Sequence, residues 1–191
     1  MDSGKSTLAL QTAHNRTSRG LEGIILTNRD RGGEGVITSR LGLRSEAFEV
    51  TPELNIYEYI TTEMAAGRNI QYVICDETQF YDSEHIDQLA LVVDELEIDV
   101  FAFGILTDFR TKLFPGSERL IELADRVLPL QVEALCWCGA RATHNARVAN
   151  GQMITEGDQI VPGDVASKGV IGYEVLCRKH HIRKVNFARS K

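Results

Sequence analysis

Apolar and polar positions alternate between two textures over the first 130 residues of the chain. Apolar runs of strand length occur at 23–27, 47–50, 72–75, 100–104 and 126–130. They are separated by stretches whose apolar positions recur every three or four residues, the pattern of a parallel sheet covered by helices. Thr51 followed by Pro52 reads as a helix cap with proline in the first turn, opening a helix that runs to about Ala66 before Gly67 stops it. Asp82 or Ser83 can cap a second helix, which carries Ile86, Leu89, Ala90, Val93 and Leu96 at helical spacing. Ser117 starts a short third. Beyond Leu130, Gly139, Gly151, Gly157, Pro162, Gly163, Gly169 and Gly172 punctuate short β-prone pieces. The expected organisation is an α/β domain over residues 1–130 and a small β-rich subdomain over 131–191.

Composition narrows the class. A chain of 191 residues with 43% hydrophobic and 25% charged residues has the balance of a soluble globular protein. Its net charge of -6, with no Lys/Arg cluster before the tail, argues against a nucleic-acid partner, because such affinity comes from cations that neutralise phosphates. No apolar run approaches the roughly 18 residues of a membrane span. The amino terminus lacks the layout of a signal peptide, so no membrane association and a cytoplasmic location are expected. Three of the four cysteines lie in the last third beside histidine, which points to a metal site in a reducing compartment more than to disulfides.

The chain opens Met1-Asp2-Ser3-Gly4-Lys5-Ser6-Thr7 and runs on into a helical stretch that ends at Gly20. Gly-Lys-Ser-Thr leading into a helix is the second half of a phosphate-binding loop. Asp2, Ser3, Gly4 and Thr7 would present backbone N–H groups at a helix amino terminus, Lys5 would reach the β and γ phosphates, and Ser6 would offer its hydroxyl to magnesium. An acidic strand end completes such a site, and Tyr72-Val73-Ile74-Cys75-Asp76-Glu77 provides one. Asp76 can hold magnesium through water, and Glu77 can accept a proton from an attacking hydroxyl or position a water. Cys75 is read as a core thiol. The loop's first glycine and the strand that should precede it are missing, so the reading expects a natural protein about ten to twenty residues longer.

At the other end, Cys136-Trp137-Cys138 and Cys177-Arg178-Lys179-His180 form two close pairs of ligands. Three thiolates and one imidazole suit tetrahedral zinc, and four protein ligands leave no open position, so the metal is expected to be structural. From spacing alone, His181 competes with His180 for the fourth place.

Together, the loop at residues 1–7, Asp76-Glu77-Thr78-Gln79-Phe80, Asp108-Phe109-Arg110 with Phe114, Cys136 to Cys138, and Tyr173-Glu174-Val175-Leu176-Cys177-Arg178-Lys179-His180 resemble the zinc-containing thymidine kinases. The resemblance covers the chain in order. It implies a P-loop parallel sheet with flanking helices plus a zinc-binding lasso, assembled as a homotetramer. The implied reaction is phosphate transfer from ATP, carried with magnesium, to the 5′-hydroxyl of thymidine and of deoxyuridine. It makes Glu77 the base and Arg31 a phosphate contact, although the family's Asp-x-Arg reads Arg29-Asp30-Arg31 here. Phe80, Phe109 and Phe114 would wall the base pocket. Asn145 would approach the pyrimidine, Ile160 and Val161 would lie in the loop that closes over the base, and Tyr173 would sit near the sugar. Residues 164–170 look like an insertion in that loop. Two other classes use the same motifs, a nucleotide-driven ATPase or switch and a silent zinc and nucleotide sensor, and the acidic charge argues against the first.

Overall fold

The computed structural model describes residues 4–28, 35–39, 41–130, 132–159 and 171–187. They divide into two compact units, one of Gly4–Ile105 with Pro115–Leu128, the other of Leu106–Phe114 with the described part of Pro129–Lys191.

The first unit is built on a parallel sheet of β1 (Glu22–Thr27), β4 (Phe48–Glu49), β5 (Ile70–Cys75) and β6 (Asp99–Ala102), in the order β4-β1-β5-β6. Buried almost throughout, β5 reads as a continuous apolar run, as a strand covered on both faces must. Alternate side chains divide between the faces. Val73 and Cys75 join Ile24 and Leu26 against Ile56 and Ile60 of α2 (Ile56–Ala65) and Ile86, Leu89 and Val92 of α3 (Ser83–Leu96). Tyr72 and Ile74 point the other way, against Ala9, Leu10 and Ala13 of α1 (Lys5–Thr17). Asp82 caps α3 in a reciprocal capping box with His85, as one of the two expected positions. A short antiparallel pair, β2 (Val36–Thr38) with β3 (Arg44–Glu46), was not legible in the pattern, because three-residue strands carry too few alternations.

Two expectations are corrected. The cap of α2 is Asn55, whose side chain accepts from the Glu58 N–H at 3.0 Å. Thr51 instead closes a turn, its carbonyl accepting from Leu54 N–H at 3.1 Å, because Asn55 lies directly before the buried Ile56 and Ile60 face. Residues 126–130 are not a strand. No described strand pairs with them, and Val127 and Leu128 remain 57% and 72% exposed. After α4 (Pro115–Leu123), the apolar run lies on the surface where its pattern predicted burial.

The second unit holds an antiparallel sheet of β7 (His144–Ala149), β8 (Gln152–Ile154) and β9 (Ile171–Leu176) in the order β8-β7-β9, followed by α5 (Arg178–Ile182). Asn150 and Gly151 both take positive φ, 50° and 76°, which gives the β7–β8 hairpin its tight turn.

Gly116 tests the packing of the first unit, because a Cβ there would stand 2.5 Å from the Tyr81 carbonyl oxygen and 2.6 Å from that of Thr78. Backbone atoms cannot swing aside, so Gly116→Ala is expected to cost about 1–3 kcal/mol. Thermal unfolding of the variant at the wild-type temperature would show the gap to be less tight than this.

Candidate active site and metal centre

In the first unit, the described residues expected to handle phosphate lie at the amino end of α1 and the carboxyl end of β5. Gly4 caps α1 in the left-handed region at φ 74°, a conformation glycine adopts without strain. Lys5, Ser6 and Thr7 follow in the first turn, where backbone N–H groups have no partner inside the helix.

Asp76 is fully buried, and neither of its carboxylate oxygens makes a hydrogen bond of ordinary geometry among the described residues. Its N–H is tied to the Leu26 carbonyl at 2.9 Å, so the backbone cannot retreat. Burial pushes the carboxyl up from 3.8 to about 6, and the Glu77 charge adds to the rise. The Ser6 hydroxyl, the Glu77 N–H and the Lys5 ammonium pull the other way, which marks the end of the phosphate loop as the neighbour of this carboxylate. Orphaned hard oxygens beside a serine hydroxyl fit magnesium, which takes oxygen donors and keeps several waters.

Glu77 holds φ at 52°, unusual for a residue with a side chain, and accepts from Gln79 Nε2. Gln79 is itself buried, its Oε1 accepting from Ile105 N–H at 3.1 Å. Close approach makes room for this turn: a Cβ on Gly104 would stand 2.6 Å from Thr78 Oγ1. Phe80, half-buried, ends a 3-10 turn, Thr78–Phe80.

In the second unit, Phe109 and Phe114 belong to a short loop closed by the Thr107 and Leu113 bridge, and both are buried. Asp108 stiffens the turn by accepting from the N–H groups of Arg110 and Lys112 at 2.8 and 2.9 Å and from Arg110 Nε at 2.8 Å. Asn145 on β7 donates to the Thr107 carbonyl at 3.0 Å. Tyr173 on β9 accepts at its hydroxyl from Arg147 Nε at 2.9 Å. Arg147, only 2% exposed, also donates to the Asp158 and Gln159 carbonyls and lies 4.1 Å from the centre of the Phe109 ring. Five expected site residues, Asp2, Ser3, Arg31, Ile160 and Val161, lie outside the described residues, as do Arg29, Asp30 and 164–170.

The ligand atoms of Cys136, Cys138, Cys177 and His180 all lie within 4.8 Å of one another. Between the first two, a tight turn closes with Cys136 N–H on the Ala140 carbonyl and Gly139 N–H on that of Cys136. His180 Nδ1 stands 3.5 Å from Cys136 Sγ and 3.3 Å from Cys177 Sγ. Burial pushes the Cys136 thiol up, yet backbone N–H groups of Cys138 and Cys177, with the His180 and Cys138 side chains, bring it down to about 6. A thiol poised as thiolate in a Cys3His cluster suits zinc. The spacing left two candidates for the fourth ligand, and the geometry selects His180. His181 Nε2 is turned away onto the Phe109 carbonyl at 2.9 Å.

A family model described as thymidine kinase matches residues 1–181. The chain belongs to the thymidine kinase family. A Streptomyces avermitilis protein named thymidine kinase is 61% identical over all of this chain and 88% of its own length. One of the same name from Streptomyces coelicolor is 60% identical over all of this chain and 89% of its own. A third, from Cutibacterium acnes, is 56% identical over 95% of this chain and 84% of its own.

Two residues of this thymidine kinase family member, Gln79 and Arg147, had no role in the sequence analysis, and His181 had only that of a rival zinc ligand. Gln79 lies within the Asp76–Phe80 motif, and only its burial exposes a role for it. Arg147 was invisible, because a buried arginine breaks the alternation that would have placed it.

Two outcomes follow from the geometry. The folded-state value of Asp76 lies above its unfolded one, so its contribution to stability is present below about pH 4 and is lost as pH rises through about 6. Asp76→Asn should therefore stabilise the metal-free protein by roughly 3 kcal/mol at pH 8 and by almost nothing at pH 4. Denaturant titrations at the two pH values check both sign and trend. Cys177→Ser should lose zinc and loosen the second unit, because zinc binding in such sites is worth roughly 10 kcal/mol or more. Elemental analysis that still finds one zinc per chain in the variant would remove Cys177 from the ligand set.

Proposed function

We propose that this chain transfers the γ-phosphoryl group of ATP to the 5′-hydroxyl of thymidine, and also of deoxyuridine. The observation that carries the reading is the buried Asp76 carboxylate, without a hydrogen bond of ordinary geometry among the described residues and beside Ser6 and Lys5, in a chain of the thymidine kinase family. In the reaction, the nucleoside O5′ forms a bond to the γ phosphorus, the bond to the ADP oxygen breaks, and the hydroxyl proton passes to Glu77. Lys5 neutralises charge on the transferring group, with Gly4, Thr7 and the Asp2 and Ser3 backbone as donors and Arg31 as a further cation. Ser6, and Asp76 through water, would hold magnesium, which supplies charge neutralisation on the β and γ oxygens when it arrives with ATP. Phe80, Phe109 and Phe114 provide flat apolar surface for the pyrimidine, Asn145, Ile160 and Val161 polar and backbone contacts, and Tyr173 a hydroxyl for the sugar. Zinc on Cys136, Cys138, Cys177 and His180 is structural.

The assembly proposed is a homotetramer acting in the cytoplasm without nucleic acid. No helix among the described residues is long and apolar enough to cross a membrane.

ADP release from ATP, measured with and without thymidine, tests the reading. Release that requires thymidine supports it. Release that requires DNA or nothing makes the chain an ATPase, and no release makes it a sensor. Glu77→Gln should keep both substrates bound and lower turnover by about two to four orders of magnitude, the range for a lost general base. Near-normal turnover in folded variant protein would take Glu77 out of the mechanism.

A further inference from the structure

The turn that carries Phe109 makes its own internal hydrogen bonds through Asp108, and these set its shape without setting where it lies. Arg110 and Leu113 tie its far side to Gly157 and Gln159, and the stretch from Thr107 to Phe109 is held by three side chains of β7 and α5. Asn145 donates to the Thr107 carbonyl at 3.0 Å, His181 Nε2 meets the Phe109 carbonyl at 2.9 Å, and the Arg147 guanidinium lies 4.1 Å from the Phe109 ring centre. A carbonyl can only accept, so Nε2 of His181 carries the hydrogen and the tautomer is set by the contact. His181 is one residue beyond His180, whose Nδ1 faces the thiols of Cys136 and Cys177. Successive residues of a helix point about 100° apart, so α5 turns one imidazole onto the metal cluster and the next onto the loop. Trp137 closes the arrangement, stacked 4.2 Å from His180 with its N–H on the Val185 carbonyl at 3.2 Å.

We propose that His181 is a positioning residue for nucleoside binding: it ties the Phe109 wall to the zinc centre through a single step of α5. The inference rests on the reading of Phe109 as a wall of the base site. Zinc holds α5, α5 aims His181, and His181 anchors the backbone of Phe109 while Arg147 steadies its ring. The metal then contributes to nucleoside affinity without touching the nucleoside.

The test compares His181→Ala, His181→Gln and His181→Phe with Phe109→Ala. It reads thymidine affinity by calorimetry, zinc by elemental analysis, and steady-state constants. His181→Ala should weaken thymidine binding and raise its KM by about tenfold, the upper range for one neutral hydrogen bond. Turnover and the KM for ATP should stay within about twofold, with one zinc per chain retained. Glutamine offers an N–H to the same carbonyl and should restore affinity to within about threefold, whereas phenylalanine fills the space without a donor and should behave like alanine. Wild-type affinity in His181→Ala, beside weakened Phe109→Ala, would overturn the proposal, as would loss of zinc from His181→Ala. Wild-type affinity in Phe109→Ala would instead overturn the reading of Phe109 on which it rests.

Discussion

A carboxylate buried without a hydrogen bond is costly unless something arrives to meet it, and Asp76 is held in that condition by the sheet itself. Its N–H is committed to Leu26, and its strand is covered on both faces by α1, α2 and α3. The side chain is closed off from water, and among the described residues the Ser6 hydroxyl, the Glu77 N–H and the Lys5 ammonium are what favours its charge. The neighbouring turn is equally constrained, with Glu77 in the left-handed region and Gln79 locked to Ile105. Local cost of this kind gathers where chemistry is done. The first unit is a scaffold that keeps a buried carboxylate beside the start of α1, where, on the proposed reading, Lys5 and the first-turn N–H groups receive the phosphates that bring its cation.

Among its described residues, the second unit has a smaller core than the first. Around the cysteines the buried cluster is Cys136, Ala146 and Leu176, with Ala142, Met153 and Cys177 against it, while Phe109 and Phe114 are buried elsewhere in the unit. Apolar burial on that scale leaves little margin over chain entropy, and a metal held by the Cys136, Cys138, Cys177 and His180 cluster would add to the order. That explains why the cluster lies where the Cys136 turn, the end of β9 and α5 meet. The loop of Phe109 shares this dependence, because side chains of β7 and α5 hold its stretch from Thr107 to Phe109.

What could be read from the sequence was whatever depends on neighbours in the chain. The β5 run, the Gly4-Lys5-Ser6 start of α1, the Asp82 cap and the cysteine pairs each carry their signal within a few residues. Features decided by distant partners were misread or missed. Residues 126–130 have a strand's composition but no described strand beside them. Thr51 and Asn55 are both good caps, and only the buried face that begins at Ile56 selects the second. His180 and His181 are equivalent in sequence, and a carbonyl 72 residues away separates them. Arg147 and Gln79 are polar residues whose burial comes from tertiary contacts that no local pattern encodes.

The central claim is that Asp76 waits for the cation carried with the nucleotide. Its direct measure is the affinity for ADP of wild type and Asp76→Asn, by calorimetry with magnesium and again in chelator. The account predicts that the variant binds magnesium-ADP about 10- to 100-fold more weakly than wild type, while metal-free ADP binds the two alike. Equal affinities in the presence of magnesium would contradict it.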